Sequence, residues 1–197
     1  NPIFDKGSIA VLKGNLAPGS AIIKQSAASE ELLAHEGIVE VFDNLEDLAN
    51  RIDSDDLNVT KDSILLLKNI GPIGAPGMPE AGLIPIPKKL AKQGVKDMVR
   101  ISDGRMSGTA AGTIILHVCP EAAAGGTLDI VESGDIIKLD VNKRLLELKL
   151  SDEEISTRKK SKKSNTEIKR RGYDKIFHES VLQADKGADF DFLKPVK

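Results

Sequence analysis

A single cysteine, Cys119, one tyrosine and no tryptophan set the first limits on this chain. One thiol excludes an internal disulfide, and alone it cannot hold a zinc ion or an iron–sulfur cluster, which need several ligands. A reducing, cytoplasmic setting is the natural expectation. With aromatics at only 3%, the core must be built from Ile, Leu, Val and Ala. No apolar run approaches the roughly 20 residues that span a bilayer. The start, Asn1-Pro-Ile-Phe-Asp-Lys6, lacks the basic-then-apolar order of a secretory signal, and it lacks an initiator methionine. A chain processed or cut from something larger is the expectation, with no membrane partner.

What is present is the composition of an ordinary globular domain. The 197 residues are 40% hydrophobic and 29% charged, enough for one sizeable core and a small appendage. The formal charge of −2 hides an asymmetry. Positions 158–171 hold eight Lys or Arg against one acid, Glu167, so this stretch carries +7 and the remainder −9. Such a run could touch RNA, DNA or an anionic surface. It has no interleaved aromatics, so we read it as a solvated linker or a strip for an acidic neighbour, with no nucleic-acid partner.

Along the chain, residues 8–12 read as a strand. Ser29 is placed to cap a helix through His35 that Gly37 would end. Residues 38–42 form a β-branched run, and Asn44 caps a short helix with Leu45, Leu48, Ala49 and Ile52 on one face. Residues 63–67, Ser-Ile-Leu-Leu-Leu, predict a strand buried on both faces. Residues 88–93 read as a helix ended by Gly94, and 97–101 as a strand. The small-residue stretch 110–124 predicts a helix broken near Pro120. Residues 136–141 and 145–150 predict a hairpin, and Ser151-Asp-Glu-Glu154 matches a helix capping box. A last helix is expected around 174–184. The mixture points to an α/β, barrel-like domain over 1–150 with a C-terminal helical arm and tail over 151–197.

Two segments could carry chemistry. In Gly71-Pro-Ile-Gly-Ala-Pro-Gly-Met-Pro-Glu80 a rigid path of glycines and prolines leads to one carboxylate, and five of the nine prolines fall between 72 and 87. A fixed carboxylate on a loop suits a hard cation such as Mg²⁺; equally, the segment reads as a Pro-rich turn with an exposed glutamate. In Ser102-Asp-Gly-Arg-Met-Ser-Gly-Thr109 a Gly-rich loop follows a strand and precedes the helix expected at 110. There, free N–H groups and a helix start would favour an anion, with Arg105 supplying a fork for a carboxylate and Ser107 and Thr109 supplying hydroxyls. The alternative is a capped turn in which Asp103 and Arg105 pair with each other. The spacing matches neither a Walker loop nor a dinucleotide fingerprint. His117 and Cys119 lie in an apolar stretch and read as core or near-core residues.

Read together, these loops resemble the dihydroxy-acid/6-phosphogluconate dehydratase family. So do Leu12–Pro18, residues 97–109, Leu116-His-Val-Cys-Pro-Glu-Ala-Ala-Ala-Gly-Gly126 and Ser133–Ile137, in order over nearly the whole chain. The ending, Arg171-Gly-Tyr173 and Val181 to Leu193, resembles the sugar-acid (pentonate/hexonate) branch rather than the branched-chain one. The resemblance implies the C-terminal part of a hydro-lyase and a swivelling β/α barrel-like fold akin to the last domain of aconitase-type enzymes. It implies conversion of a 2,3-dihydroxy acid to a 2-keto-3-deoxy acid with Mg²⁺ and an iron–sulfur cluster. It places the magnesium-binding glutamate at Glu80, the basic serine at Ser107 and a supporting hydroxyl at Thr109. The cluster cysteines and the remaining magnesium ligands would lie in an N-terminal domain that this sequence does not contain, so the isolated chain is expected to be inactive. A homo-oligomer, such as a dimer, is also expected. The sequence departs from many relatives at Ser180, where they carry His. Three other readings stay open: a non-catalytic binding or assembly module, an isomerase-type small subunit that pairs with a cluster-bearing chain, and a branched-chain dihydroxy-acid dehydratase.

Overall fold

Four strands running the same way make the centre of the molecule: β3 (Ala34–Phe42), β4 (Ile64–Leu67), β5 (Arg100–Ser102) and β6 (Ile114–Cys119). The computed structural model describes residues 1, 7–162 and 170–193. Antiparallel strands flank the parallel centre. These are β1 (Ile9–Leu12) and β2 (Ser20–Lys24) beside β6, and β7 (Ile136–Asp140) and β8 (Leu145–Leu148) beside β3. The resulting eight-stranded order is β1-β2-β6-β5-β4-β3-β7-β8. Its two edges meet, because Lys13 pairs in parallel with Leu145 and exchanges backbone hydrogen bonds with Arg144 and Leu146. The sheet is thus a nearly closed barrel, in agreement with the α/β barrel-like expectation.

Alternation along β4 shows why the barrel holds. Ile64 and Leu66 join the interior with Ala10, Leu12, Val39, Ile101, Ile115, Leu139 and Leu146. Leu65 and Leu67 face outward into a second cluster with Phe42, Leu48, Ile52, Ile70, Ile84 and Leu90. All four residues are buried, each worth roughly 1.5–3 kcal/mol of hydrophobic burial. Helix α1 (Leu45–Arg51) and helix α2 (Lys88–Lys92) cover this outer cluster. The Asn44 side chain accepts from Asp47 N at 2.9 Å, as its capping role requires. On α1 only Leu48 and the following Ile52 are buried, whereas Leu45 and Ala49 face outward, so the apolar stripe is narrower than expected.

Helix α3 (Asp152–Ser161) starts at the capping box, where Ser151 Oγ accepts from Glu154 N at 3.1 Å. It returns to the barrel through Ile155 and through Arg158, which grips Asp135 at 2.7 Å. Helix α4 (Gly172–Ser180) buries none of its residues fully. The segment after it docks on β6, and Val181 bridges to Phe190. Half of the basic stretch, residues 163–169, lies outside the described residues.

Two expected helices are absent. The stretch 110–124 contains β6, not a helix, with a 3₁₀ turn at Ala122–Ala124. Isoleucines 114 and 115, Leu116 and Val118 carry β-favouring bulk into the barrel wall and outweigh the helix propensity of the flanking alanines. The cap at Ser29 opens only a 3₁₀ turn at Glu30–Leu32, after which β3 begins at Ala34. Gly37 sits inside β3, where a Cβ would run into Asp62 O of the adjoining segment. Its backbone is needed for close approach, not for ending a helix.

Candidate active site

Because β4, β5 and β6 are parallel, the segments that leave them emerge on one side of the barrel. β4 leads into the Pro- and Gly-rich loop, β5 into loop 103–113, and β6 into Pro120–Gly126. The carboxyl ends of parallel strands are where open α/β sheets bind ligands. The arrangement brings together residues far apart in sequence.

The loop after β4 carries Glu80, and the loop after β5 carries Arg105. Arg105 Nη1 lies 2.7 Å from Glu80 Oε1, with both side chains about half exposed. Arg105 Nε donates to Met78 O, and its carbonyl accepts from Gly82 N at 2.7 Å. Met78 (φ 44) follows Gly77 (φ 86), two left-handed residues in succession that turn the chain back toward Arg105. Arg105 is therefore paired with Glu80, not with Asp103.

Ser107 and Thr109 share a hydrogen bond of 3.0 Å between their hydroxyl oxygens. Ser107 is half-buried and Thr109 exposed. Lys24 Nζ donates to Gly108 O at 2.7 Å, which steadies the loop tip between them. The far end of the loop is clamped by Asp97, which accepts from Thr113 N, Thr113 Oγ1, Ser29 Oγ and Arg100 Nη2 at 2.7–3.0 Å. The loop runs from strand to strand, so no helix N-terminus stands behind Ser107. The charges available to an anion here are those of Arg105 and Lys24.

Below these groups sit two carboxylates that sequence reasoning did not single out as a pair. Asp103 and Glu121 are each 1% exposed. Neither has an ion-pair partner among the described residues, and both accept N–H groups instead. Burial and the neighbouring Glu121 push the Asp103 carboxyl up to about 6, against the pull of the Ile70, Ala122 and Asn69 amides. The signal that could have found them is a charged residue inside an apolar or small-residue run, as in Cys119-Pro-Glu-Ala-Ala123.

A cavity of about 360 Å³ adjoins Arg105 and is walled by Met78, His117, Phe177, Val181 and Ala184. His117 stands at φ 53 with Nδ1 buried and unpartnered among the described residues. Burial, helped by the Arg105 guanidinium, lowers its pKa and keeps the ring neutral. Ser180 is half-buried at the end of α4, just ahead of Val181. Cys119 is 2% exposed in β6, and burial pushes its thiol pKa up. A protonated core thiol is no cluster ligand.

Glu80 is one exposed carboxylate, able to supply one oxygen donor to a hard cation. Among the described residues no group of three or more His, Cys, Asp or Glu comes together as a metal site. The chain thus fits part of a magnesium shell and does not fit an iron–sulfur cluster. No helix among the described residues is long and apolar enough to cross a membrane.

Residues 1–188 match the family model for the C-terminal domain of dihydroxy-acid/6-phosphogluconate dehydratases. The chain is 49% identical to an L-arabinonate dehydratase of Rhizobium leguminosarum, over 98% of its length and 33% of the relative's. It is 47% identical to a 6-deoxy-6-sulfo-D-gluconate dehydratase of Pseudomonas putida, over 98% of this chain and 34% of the relative. Identity to a dihydroxy-acid dehydratase of Archaeoglobus fulgidus is 42%, over 95% and 34%. The chain spans about a third of the length of the curated relatives it matches.

Proposed function

The chain belongs to the dihydroxy-acid/6-phosphogluconate dehydratase C-terminal domain family, and from that premise we propose that it is the C-terminal part of a sugar-acid dehydratase. The reaction removes the C2 proton and the C3 hydroxyl of a 2,3-dihydroxy acid, and the enol that results becomes a 2-keto-3-deoxy acid. The observation that supports this reading is that Arg105, Ser107 and Thr109 share the loop after β5 and that Arg105 pairs across to Glu80 on the loop after β4. The higher identity to the two sugar-acid dehydratases favours that substrate class over branched-chain acids.

Ser107 Oγ is the base that takes the C2 proton. Thr109 Oγ1, 3.0 Å away, holds that hydroxyl in one rotamer and can pass a hydrogen bond to it. Arg105 binds the substrate carboxylate. Its Nη2 makes no hydrogen bond among the described residues, while Nη1 is held by Glu80. Glu80 supplies one oxygen ligand to Mg²⁺, whose bound charge makes both the C2 proton and the serine hydroxyl more acidic. A serine without such help is too weak an acid to act as a base at neutral pH. The iron–sulfur cluster, with the remaining magnesium ligands, belongs to the N-terminal part of the longer polypeptide, and the active form is a homo-oligomer such as a dimer in the cytoplasm.

The test is to assay the full-length polypeptide, loaded anaerobically with iron, sulfide and Mg²⁺, against a panel of pentonic, hexonic and branched-chain dihydroxy acids. Formation of a 2-keto-3-deoxy acid from an aldonic acid is expected. Preference for a branched-chain acid would overturn the substrate class, and inactivity of the loaded protein on all of them would overturn the reading.

A further inference from the structure

A buried carboxylate with no cation beside it is costly, because desolvation is not repaid by an opposite charge. Glu121 bears that cost and links three segments. Its Oε1 and Oε2 accept from Ile73 N at 2.9 and 3.0 Å, and Oε2 also accepts from Gly74 N at 2.9 Å. Oε1 accepts from Gln183 Nε2 at 2.7 Å, and Glu121 N donates to Gln183 Oε1 at 2.8 Å, so the Gln183 amide grips both the side chain and the backbone of Glu121. Asp103 runs in parallel. Its Oδ1 accepts from Ile70 N at 2.9 Å, and its Oδ2 accepts from Asn69 N at 3.1 Å and Ala122 N at 3.0 Å.

The amides at 69, 70, 73 and 74 belong to the turn that opens the loop bearing Glu80. A chain in this conformation cannot close those bonds on itself, so a carboxylate from each neighbouring strand end closes them. Gly71 lies so close that a Cβ there would stand 2.5 Å from Glu121 Oε2. At its other end the same loop is tied to Arg105 through Gly82 N and Met78 O. Gln183 lies two residues after Val181, and Val181 and Met78 both line the 360 Å³ cavity. One side chain therefore holds both the wall that carries Met78 and the wall that carries Val181.

We propose that Glu121 is a positioning residue that fixes the Gly71–Glu80 loop and the C-terminal arm against the end of β6, so that Glu80 and the cavity face the Ser107 loop. Its importance for the reaction rests on the dehydratase reading, but its hold on the two segments does not. Glutamine in its place would turn an amide NH₂ toward either Gly74 N–H or the donor of Gln183, so one link must fail. Moving the carboxylate across the contact restores both: in Glu121→Gln with Gln183→Glu, the new amide accepts from the loop and donates to the new carboxylate.

The experiment compares the full-length protein, Glu121→Gln, Gln183→Ala and the Glu121→Gln/Gln183→Glu double variant. Amide exchange is followed over 69–74 and 181–190, and magnesium binding is measured by calorimetry without turnover. Glu121→Gln should speed exchange in the loop and weaken magnesium binding by about tenfold, the scale of lost support for a metal ligand. Gln183→Ala should loosen 181–190 while 69–74 stays protected, and it tests the arm link even where Glu121→Gln fails to fold. The double variant should recover magnesium binding. Faster loop exchange with unchanged magnesium affinity would reduce Glu121 to a structural anchor and overturn the proposal. So would unchanged exchange in both single variants. Inactivity of the unsubstituted protein toward every sugar acid would overturn the dehydratase reading alone, because exchange and magnesium binding are read without turnover.

Discussion

Arg105 reaches back 25 positions to place Nη1 2.7 Å from Glu80 Oε1. One contact thereby joins the loop that follows β4 to the loop that follows β5. Both partners are about half exposed, so the pair contributes little to stability, on the order of 0–1 kcal/mol. Its importance is geometric. The carboxylate suited to a cation and the cation suited to a carboxylate stand side by side, and a magnesium ion bound as proposed would share Glu80 with Arg105.

Glu80→Gln in the full-length protein should therefore leave thermal unfolding nearly unchanged and weaken magnesium activation by about tenfold or more. The loop backbone is set by its hydrogen bonds to Asp103, Glu121 and Arg105, none of which needs the Glu80 carboxylate. Titration of turnover against Mg²⁺ checks this, and an unchanged half-saturating concentration would remove Glu80 from the ligand set.

Ser107→Ala should lower turnover by roughly 10²–10⁴-fold, the range for a removed general base, with little change in KM. Solvent-hydrogen exchange at substrate C2 should disappear with it, while cluster and magnesium content stay at the parent level. Persistence of that exchange would make another group the base and leave Ser107 a loop hydroxyl bonded to Thr109.

Asp103 should leave a pH signature in stability. Its folded pKa of about 6 exceeds the ordinary 3.8, so between those values the folded chain holds more proton than the unfolded one. The contribution is fully present below about pH 4 and is lost as pH rises through 6, by on the order of 3 kcal/mol. Urea unfolding of this chain and of Asp103→Asn at pH 4 to 7 measures it. The stability difference, parent minus variant, should fall across that window, and a flat difference would show that Asp103 does not titrate there.

Anaerobic treatment of this chain with iron and sulfide should yield no stoichiometric cluster. Cys119 is the one cysteine, it lies in the barrel wall, and burial keeps it protonated. Visible absorption after desalting is the measurement, and a stable iron–sulfur chromophore at one per chain would contradict the account.

Much of this architecture is a local matter, and there the amino-acid sequence suffices. Asn44 and Ser151 each accept a backbone N–H within their own turn, so capping is legible three residues at a time. The apolar run of β4 and the hairpin of β7 and β8 follow from burial and period-two alternation. The candidate residues Glu80, Arg105, Ser107 and Thr109 were visible as members of two Gly-rich segments and through the family they resemble. Tertiary structure decided the rest. β6 is a strand because the barrel offers its isoleucines neighbours on β2 and β5, which no local propensity records. Arg105 chooses Glu80 over the nearer Asp103 because Asp103 is already turned inward onto three backbone amides. The same holds for Glu121 and Gln183, 62 positions apart. A buried carboxylate is stable only where distant N–H groups converge on it, and that convergence exists only once the chain has folded.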